Sequence, residues 1–308
     1  MTTSSPTQPR RRPALRETDR NQGATRLLAS SAKHSYDPVV DIDWDEPLAP
    51  DLYGLSPEWS SLYGTPLWEG LSFEDRIRLT QHEFSSISGV GIWFEMILMQ
   101  MVIRDIYDQD PATAHVQFAL TEIGDECRHS VMFARMAQKY GAPSYGPGPT
   151  NHRLGRWFKT LADGPMVYAG ILVAEEVLDI LQRDLIADER VQPLTRQVSR
   201  IHVVEEARHM RFARDEVVRR VASMSPSQRV RQRAVLGVVA HIISTSLVHP
   251  DVYAAVGLDP REAQQAAREN EHYSAKLRSS AESLTGFLQD AGLIGGPSTY
   301  LWRKARLL

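Results

Sequence analysis

The sequence predicts an all-α protein, and three observations support this fold class. Apolar residues recur at helical spacing in several long stretches, and Pro or Gly separates these stretches. No run of alternating Val, Ile and Thr bounded by hairpin turns occurs in the 308 residues, so strands are not expected. With 42% hydrophobic and 24% charged residues, the chain can bury a sizeable core, which excludes a fibrous or mainly disordered protein.

The predicted elements follow in chain order. Residues 1–40 are rich in Arg, Ser and Pro and show no apolar period, which predicts a disordered tail before a helical domain over residues 41–308. Scattered Pro, Trp and Tyr over residues 41–70 indicate an irregular segment wrapped on that domain. Helices are expected over residues 72–107, 111–140, 165–188, 194–221 and 227–248, with a last helix opening at residues 259–260.

Local signals justify the first predicted boundaries. Ser72 and Asp75 have the spacing of a capping box, which predicts the start of the first helix. Asp110 suits the N-cap and Pro111 the first position of the second helix, which is expected to end at Gly141. The Gly- and Pro-rich residues 141–149 are therefore predicted to cross over to the third helix.

Charge and cysteine content exclude several classes of protein. Lys and Arg total 35 against 38 Asp and Glu, so the chain has no basic excess that would indicate a nucleic-acid partner. The single cysteine, Cys127, excludes an intramolecular disulfide and a cysteine-built zinc or iron–sulfur site. The longest apolar run, residues 89–103, is too short to span a bilayer and contains Glu95. Since no export signal is recognisable either, we expect a cytoplasmic protein without membrane attachment.

A repeated motif dominates the helical part of the sequence. Glu126-x-x-His129 and Glu206-x-x-His209 lie 80 residues apart, and both extend to an acid-Glu-x-Arg-His string. A third Glu-x-x-His, at residues 269–272, lacks these flanks. Spacing three along a helix places Glu and His on one face, so each repeated motif can present a carboxylate and an imidazole together.

Two further acids have the same 80-residue spacing as the repeated motif. Glu95 in the apolar first helix and Glu175 in the apolar third helix are also 80 residues apart. The midpoint between each of these acids and the Glu of the following motif falls at the predicted turn between their helices. At the helical rise per residue, both members of a pair lie roughly 23 Å from their turn. One duplication thus predicts two helical hairpins whose six Glu and His side chains meet at one height.

Neighbouring acids offer alternatives to both single glutamates. Glu175 shares a helical stripe with apolar residues, whereas Glu176 shares one with charged residues, so Glu175 is preferred. Glu83 is an alternative to Glu95, but it lies too far from the hairpin turn to reach the level of Glu126.

The residues around the second motif suggest further members of the site. His202 precedes Glu206 by four residues and lies on the same helix face, which predicts a third imidazole ligand; the equivalent position of the first half is Glu122. Asp125 and Glu205 stand beside the motif glutamates. They are expected either to accept the second imidazole N–H across the bundle, and so orient the histidines, or to be solvated helix charges.

One Glu from each of two helices with Glu-x-x-His from each of the other two is typical of ferritin-like di-iron and di-manganese bundles. Two close dications need several anionic oxygens, and imidazoles favour transition metals. The sequence therefore predicts a ferritin-like four-helix bundle built of two helical hairpins, with additional C-terminal helices. Two iron ions are the expected cofactor, and manganese is the open alternative.

The string His202-x-x-x-Glu206-x-x-His209, combined with Glu126-x-x-His129, resembles the p-aminobenzoate N-oxygenase family, the AurF-like non-haem di-iron arylamine oxygenases. The resemblance covers residues 72–220 by motif, and the 27-residue spacing between Glu175 and His202 matches the family. The spacing between Glu95 and Glu126 is shorter than in the family. The resemblance implies that the metal ligands are Glu95, Glu126, His129, Glu175, His202, Glu206 and His209.

The resemblance also implies a function. A reduced metal pair would activate O2 and oxidise an amine to a hydroxylamine and onward to a nitroso or nitro product. The implied partners are O2, a small-molecule amine and an electron donor. A multicomponent hydrocarbon monooxygenase and a non-catalytic ferritin-like iron-binding protein are the alternatives. The last predicted helices either form a homodimer surface or cover the site.

Overall fold

The computed structural model describes residues 19–308, and it confirms the predicted all-α fold. These residues contain α-helices, two short 3-10 helices and one isolated β-bridge, between Tyr53 and Val191, but no strand. The helices are α1 Arg20–Ser31, α2 Pro66–Gly70, α3 Phe73–Ile106, α4 Ala114–Lys139, α5 Pro149–Leu161, α6 Pro165–Ala187, α7 Pro193–Val221, α8 Pro226–Ser246, α9 Asp251–Ala254, α10 Pro260–Glu269, α11 Glu271–Ser280, α12 Glu282–Asp290 and α13 Thr299–Lys304.

The core of the molecule is a four-helix bundle made of two helical hairpins. Helices α3 and α4 form the first hairpin, and α6 and α7 form the second. The hairpins pack on each other through α3 with α6 and α4 with α7. Helices α8, α11 and α12 also pack on α6. Burial on most sides explains why α6 is apolar around most of its circumference.

Capping residues define where the bundle helices begin. The Ser72 side chain accepts a hydrogen bond from the Asp75 backbone N–H at 3.1 Å and starts α3, as predicted. The predicted start of the second helix at Pro111 is wrong by three residues. Thr113 is the N-cap of α4, while the Asp110 carboxylate accepts from the Ala112 N–H at 2.9 Å and stabilises the preceding turn.

The predicted disordered tail over residues 1–40 is wrong for its second half, and residues 1–18 lie outside the described residues. Helix α1 packs on α4 and α7. Its first residue, Arg20, donates to Glu216 on α7 from Nε and Nη2, at 3.0 and 3.1 Å. Ala24 and Ser31 are its buried residues. Leu27 and Leu28 are partly buried and also pack against the core. These apolar residues are too few to give the sequence a helical apolar period.

A partly buried ionic network at one end of the bundle joins α1, α3, α6 and α7. Arg220 donates to both carboxylate oxygens of Asp105, at 2.7 and 2.6 Å, and to Glu216 at 3.2 Å. The Tyr168 hydroxyl donates to Asp105 at 3.0 Å. Burial raises the pKa of Asp105, but the hydrogen bonds and charge of Arg220, the Tyr168 hydrogen bond and the charge of Arg20 together outweigh burial and hold this pKa below its usual range. The network therefore contains paired charges at a junction of four helices.

Two helical stretches, Phe73–Ile106 and Pro226–Ala254, are long and apolar enough to cross a membrane by length and composition alone. A core helix of a soluble protein passes the same test. In the first stretch, 56% of the most apolar window is buried, because α3 packs on α4 and α6. Core packing accounts for the apolar character of that helix, and the absence of membrane attachment stays a prediction.

Candidate metal centre

The bundle brings together all seven predicted ligand residues. One comes from α3, two from α4, one from α6 and three from α7, and each side chain is buried, with at most 5% of its residue exposed. Their donor atoms form overlapping groups in which all atoms lie within 4.8 Å of one another. Three of these groups are Glu95 with His129 and His202, Glu126 with His129 and Glu206, and Glu175 with His202 and Glu206.

Two carboxylates form the centre of the cluster. The Nδ1 atom of His209 lies 2.9 Å from Glu206 Oε1 and 3.3 Å from Glu126 Oε1. The Nδ1 atom of His129 lies 3.2 Å from Glu126 Oε2 and 3.3 Å from Glu206 Oε1. Each motif histidine thus directs the same ring nitrogen at the glutamates of both motifs. The arrangement is what the spacing of three within each motif and the packing of α4 on α7 predict.

His202 occupies one end of the cluster. Its Nδ1 contacts the side-chain oxygen of Gln182 at 2.8 Å, so Nε2 is directed at the carboxylates. Nε2 lies 4.0 Å from Glu95, 3.9 Å from Glu175 and 3.8 Å from Glu206. Burial lowers the pKa of His202 to about 4, which keeps its imidazole neutral near neutral pH. A neutral imidazole has a lone pair to offer a metal ion.

The acids beside the motif glutamates contact the far nitrogens of the histidines. His129 Nε2 donates to Glu205 at 2.8 Å, and His209 Nε2 donates to Asp125 at 3.2 Å. Each acid thus belongs to one hairpin and orients the histidine of the other. Both acids are buried, with 0% and 1% exposed, so they are not solvated surface charges. Such hydrogen bonds select the ring nitrogen that faces a metal.

The arginine of each repeated string neutralises these acids. Arg208 Nη2 lies 3.5 Å from Asp125 and 3.7 Å from Glu205, and Arg128 also donates to Asp125. Arg208 Nη1 donates to the His34 carbonyl at 2.9 Å, and the Tyr36 N–H donates to Glu205 at 3.0 Å. The segment after α1 therefore covers this side of the centre. The repeat contains both arginines, but their spacing along the chain does not by itself predict which acids they contact.

The cluster holds more acid than the histidines can neutralise. Burial and the charge of Glu126 raise the pKa of Glu95 to about 8, and burial and the charge of Glu206 raise that of Glu175 well above its usual value. Burial alone would lower the pKa of His129, but hydrogen bonds to Glu126 and other carboxylates raise it well above its usual value. Four acids in so small a volume ionise together only if cations accompany them.

Unpaired oxygens provide a direct test of whether metal ions fit this cluster. Glu206 Oε2 and Glu126 Oε1 are fully enclosed; the first has no hydrogen bond, and the second only faces His209 Nδ1 at 3.3 Å. A buried oxygen without a partner costs free energy, about 1–3 kcal/mol for a neutral group and more for a charged one. Carboxylates and imidazoles are ligands that iron and manganese accept. The buried carboxylate and histidine groups therefore fit a di-metal site.

The acids weighed as alternatives lie outside these groups. The Glu176 carboxylate accepts a hydrogen bond from Arg214 Nε at 2.6 Å. Glu83 accepts from the Ser61 N–H at 2.9 Å. The third Glu-x-x-His string, residues 269–272, spans the end of α10 and the start of α11, outside the four-helix bundle.

Glu122 is a member of the cluster that sequence analysis did not propose as a ligand. Its carboxylate groups with Glu126 and His209, with the donor atoms within 4.8 Å of one another, and 0% of the residue is exposed. The signal was present in the sequence, because Glu122 is the repeat counterpart of His202. A carboxylate on an inward helix face also occurs as a protonated or paired core residue, so spacing alone did not identify its contacts.

A small cavity adjoins one face of the cluster. Glu95, Glu175 and His202 contribute to its wall, and its volume is about 20 Å³, enough for one molecule the size of water or O2. Apart from Ser88 and Gln182, the other lining residues are apolar or glycine: Phe84, Ile87, Gly91, Phe133, Ala174 and Leu178.

A larger apolar groove, of about 370 Å³, lies between α3, α5 and α8, lined by residues such as Trp93 and Val239. None of the seven predicted ligand residues lines this groove. The small cavity is therefore the candidate face for O2 and substrate.

The chain is similar to known proteins over most of its length. The family model described as P-aminobenzoate N-oxygenase AurF matches residues 17–292. Three mycobacterial relatives, described as the uncharacterized proteins Rv0885 and MT0908 of Mycobacterium tuberculosis and Mb0909 of Mycobacterium bovis, are each 25% identical to the chain over 297 residues. Each match covers 91% of this chain and 85% of the relative.

Proposed function

Because the chain belongs to the p-aminobenzoate N-oxygenase AurF family, we propose that it is a non-haem di-iron oxygenase that uses O2 to N-oxygenate an amine. The observation that carries this proposal is the buried centre in which two histidine Nδ1 atoms converge on Glu126 and Glu206, each of which retains an enclosed oxygen without a hydrogen bond. The proposed ligands are the seven residues named from the sequence.

In the proposed reaction, the iron ions and the protein side chains have different roles. Two iron ions bound in this donor set would supply the electrons and the Lewis acidity for O2 reduction. The protein residues hold the ions, orient the histidines through Asp125 and Glu205, and exclude bulk water from the centre. Forming a hydroxylamine transfers one oxygen atom of O2 to the amine nitrogen. The other oxygen leaves as water after two electrons from a donor and two protons are taken up.

The lining of the small cavity favours a neutral amine as substrate. None of the described residues that line it is Lys or Arg, and its two acids, Glu95 and Glu175, are proposed iron ligands. A substrate carboxylate, as in p-aminobenzoate, would find no Lys or Arg side chain to pair with in this cavity, and it would compete with Glu95 and Glu175 for the proposed iron ions. An arylamine exceeds the cavity volume, so its entry requires side chains such as Phe133 to move. We therefore propose a neutral arylamine as the substrate class.

Metal content and O2 reactivity test the proposed function. The protein is loaded with Fe²⁺ under anaerobic conditions, analysed for metal, and mixed with O2 in a stopped-flow spectrometer with aniline, with p-aminobenzoate or with neither. We expect about two irons per chain and an absorbance transient that decays faster with aniline, with hydroxylamine or nitroso product seen by mass spectrometry. Two irons without amine dependence would contradict N-oxygenation and favour a hydroxylase of C–H bonds. A protein that binds no metal would contradict both N-oxygenation and C–H hydroxylation.

His202→Ala is expected to retain the fold but to lower metal occupancy and to reduce turnover by at least about 10-fold, because it removes the imidazole that faces three carboxylates. The measurements are metal content and steady-state turnover. His115→Ala is the matched control, since His115 is equally buried but lies outside the metal-type groups. Wild-type metal content and turnover in His202→Ala would contradict a seven-residue ligand set.

Gly91→Leu is expected to block the cavity while both metals stay bound. Gly91 lines the cavity, and a Cβ there meets no atom within 4 Å, so a larger side chain can be accommodated at the cavity wall. We expect wild-type metal content with amine turnover reduced at least about 10-fold, and a smaller effect in Gly91→Ala. Gly124→Ala is the control for Gly91→Ala, because it also replaces a helical glycine with alanine. The new Cβ at Gly124 meets only the end of the Arg128 side chain. Unchanged amine kinetics in Gly91→Leu would show that substrate binds elsewhere.

A further inference from the structure

Glu122 is a buried acid whose surroundings leave it without a partner. It lies on α4, one turn before Glu126, and 0% of the residue is exposed. Both of its carboxylate oxygens are fully enclosed, and neither has a hydrogen bond. Among the carboxylates of residues 19–308, Glu122 alone has two fully enclosed oxygens that both lack a hydrogen bond. Glu83, by comparison, is equally buried but accepts from Ser61 through one oxygen.

A carboxylate in this situation needs a cation when it is charged. Arg128 and Arg208 are directed at Asp125 and Glu205 instead. The atoms that do lie near Glu122 are a Glu126 oxygen and a His209 nitrogen, which form a metal-type group with it.

The internal repeat gives Glu122 a counterpart with a defined position. His202 lies 80 residues later and precedes its own motif glutamate by the same four residues. His202 groups with Glu95 and His129, and with Glu175 and Glu206, whereas Glu122 groups with Glu126 and His209. The duplicated positions thus lie beside different histidines of the centre, His202 beside His129 and Glu122 beside His209.

We propose that Glu122 is an eighth metal-binding residue, which completes the metal position formed by Glu126 and His209. This inference rests on the proposed di-iron function. The repeat thus supplies a carboxylate, Glu122, at one of two matching positions and an imidazole, His202, at the other.

Metal titration of conservative variants tests the role of Glu122. Wild type, Glu122→Gln, Glu122→Asp and the buried control Glu83→Gln are titrated with Fe²⁺ without oxygen, and bound iron is measured at equilibrium. In Glu122→Gln we expect one iron to bind as in wild type and the other to bind roughly 100-fold more weakly. Losing a direct ligand should weaken binding at least as much as losing a residue that only hydrogen-bonds to a ligand. Glu122→Asp should recover part of this affinity, and Glu83→Gln should match wild type.

A second readout separates metal binding from a structural role. A carboxylate that stabilised the fold would make metal-free Glu122→Gln unfold at a lower temperature than wild type. For a metal ligand, we expect the metal-free variant to be at least as stable as wild type, because it no longer buries an unpaired acid, and the iron-induced rise in Tm to shrink. Mössbauer spectra of the iron-loaded proteins should show one of two iron environments changed in Glu122→Gln.

The outcomes distinguish this inference from the proposed function. If wild type binds two irons and Glu122→Gln binds both with unchanged affinities and spectra, the role of Glu122 is overturned and the di-iron function stands. A fall in metal-free Tm with unchanged iron affinity would overturn it in favour of a structural role. If wild type binds no iron, both the di-iron function and the role of Glu122 fail.

Discussion

Glu206→Ala is expected to leave at most one metal ion per chain and to abolish N-oxygenation. The Glu206 carboxylate lies 2.9 Å from His209 Nδ1, 3.3 Å from His129 Nδ1 and 3.8 Å from His202 Nε2, so it faces three imidazoles at once. Its loss removes a central anionic donor from both halves of the site. Because metal catalysis contributes several kcal/mol, we expect turnover to fall by roughly 1,000-fold or more.

Elemental analysis of the purified variant checks the metal content, and product analysis by mass spectrometry checks the activity. Glu176→Ala is the matched control, since Glu176 is a buried bundle glutamate that pairs with Arg214 and lies outside the metal-type groups. The control should retain two irons. Two tightly bound irons in Glu206→Ala would show that this carboxylate is not a ligand.

Arg220→Ala is expected to lower the free energy of unfolding by about 3 kcal/mol, the lower end of the cost of removing one partner from a buried ion pair, because Arg220 and Asp105 are partly exposed. Arg220 binds both oxygens of Asp105, bonds Glu216, and stacks on the Tyr168 ring at 4.6 Å. Its removal would leave the buried Glu216 and the partly buried Asp105 with fewer partners at the junction of α1, α3, α6 and α7. For a chain of this size, the Tm should fall by roughly 10 °C.

Thermal unfolding followed by circular dichroism measures this effect, with Arg231→Ala as the control. Arg231 also binds both oxygens of an aspartate, Asp163, at 2.9 Å, but this pair is more than half exposed. Exposed pairs contribute about 0–1 kcal/mol, so Arg231→Ala should change the Tm little. Equal losses in the two variants would contradict a stabilising role specific to the partly buried network.

The duplicated string acid-Glu-x-Arg-His explains how two hairpins build one centre. In each copy the glutamate and histidine face inward together, and the preceding acid contacts the histidine of the other hairpin. The arginine of the second copy lies near both acids. Each hairpin therefore supplies the acid that orients the histidine of the other hairpin. A substitution at Asp125 or Glu205 would alter the histidine of the opposite hairpin.

Much of the fold and the centre follows from local sequence periodicity. The four bundle helices and their pairing into hairpins are encoded by apolar spacing and by turn residues, and the structure confirms them. The meeting of Glu95, Glu126, Glu175 and Glu206 follows from equal distances to the hairpin turns. The preference for Glu175 over Glu176 rests on which helix stripe is apolar. These inferences succeed because helix geometry converts spacing along the chain into direction in space.

Other features depend on contacts between residues far apart in the chain, which periodicity does not encode. Helix α1 is held by the Arg20 and Glu216 ion pair across 196 positions, so composition alone predicted a disordered tail. The enclosure of Glu122, the exchange of acids between hairpins and the cavity beside Gly91 arise only when four helices pack. Helical spacing specifies which face a side chain occupies. Only the packing of other helices on that face decides whether the side chain meets a partner, water or a metal ion.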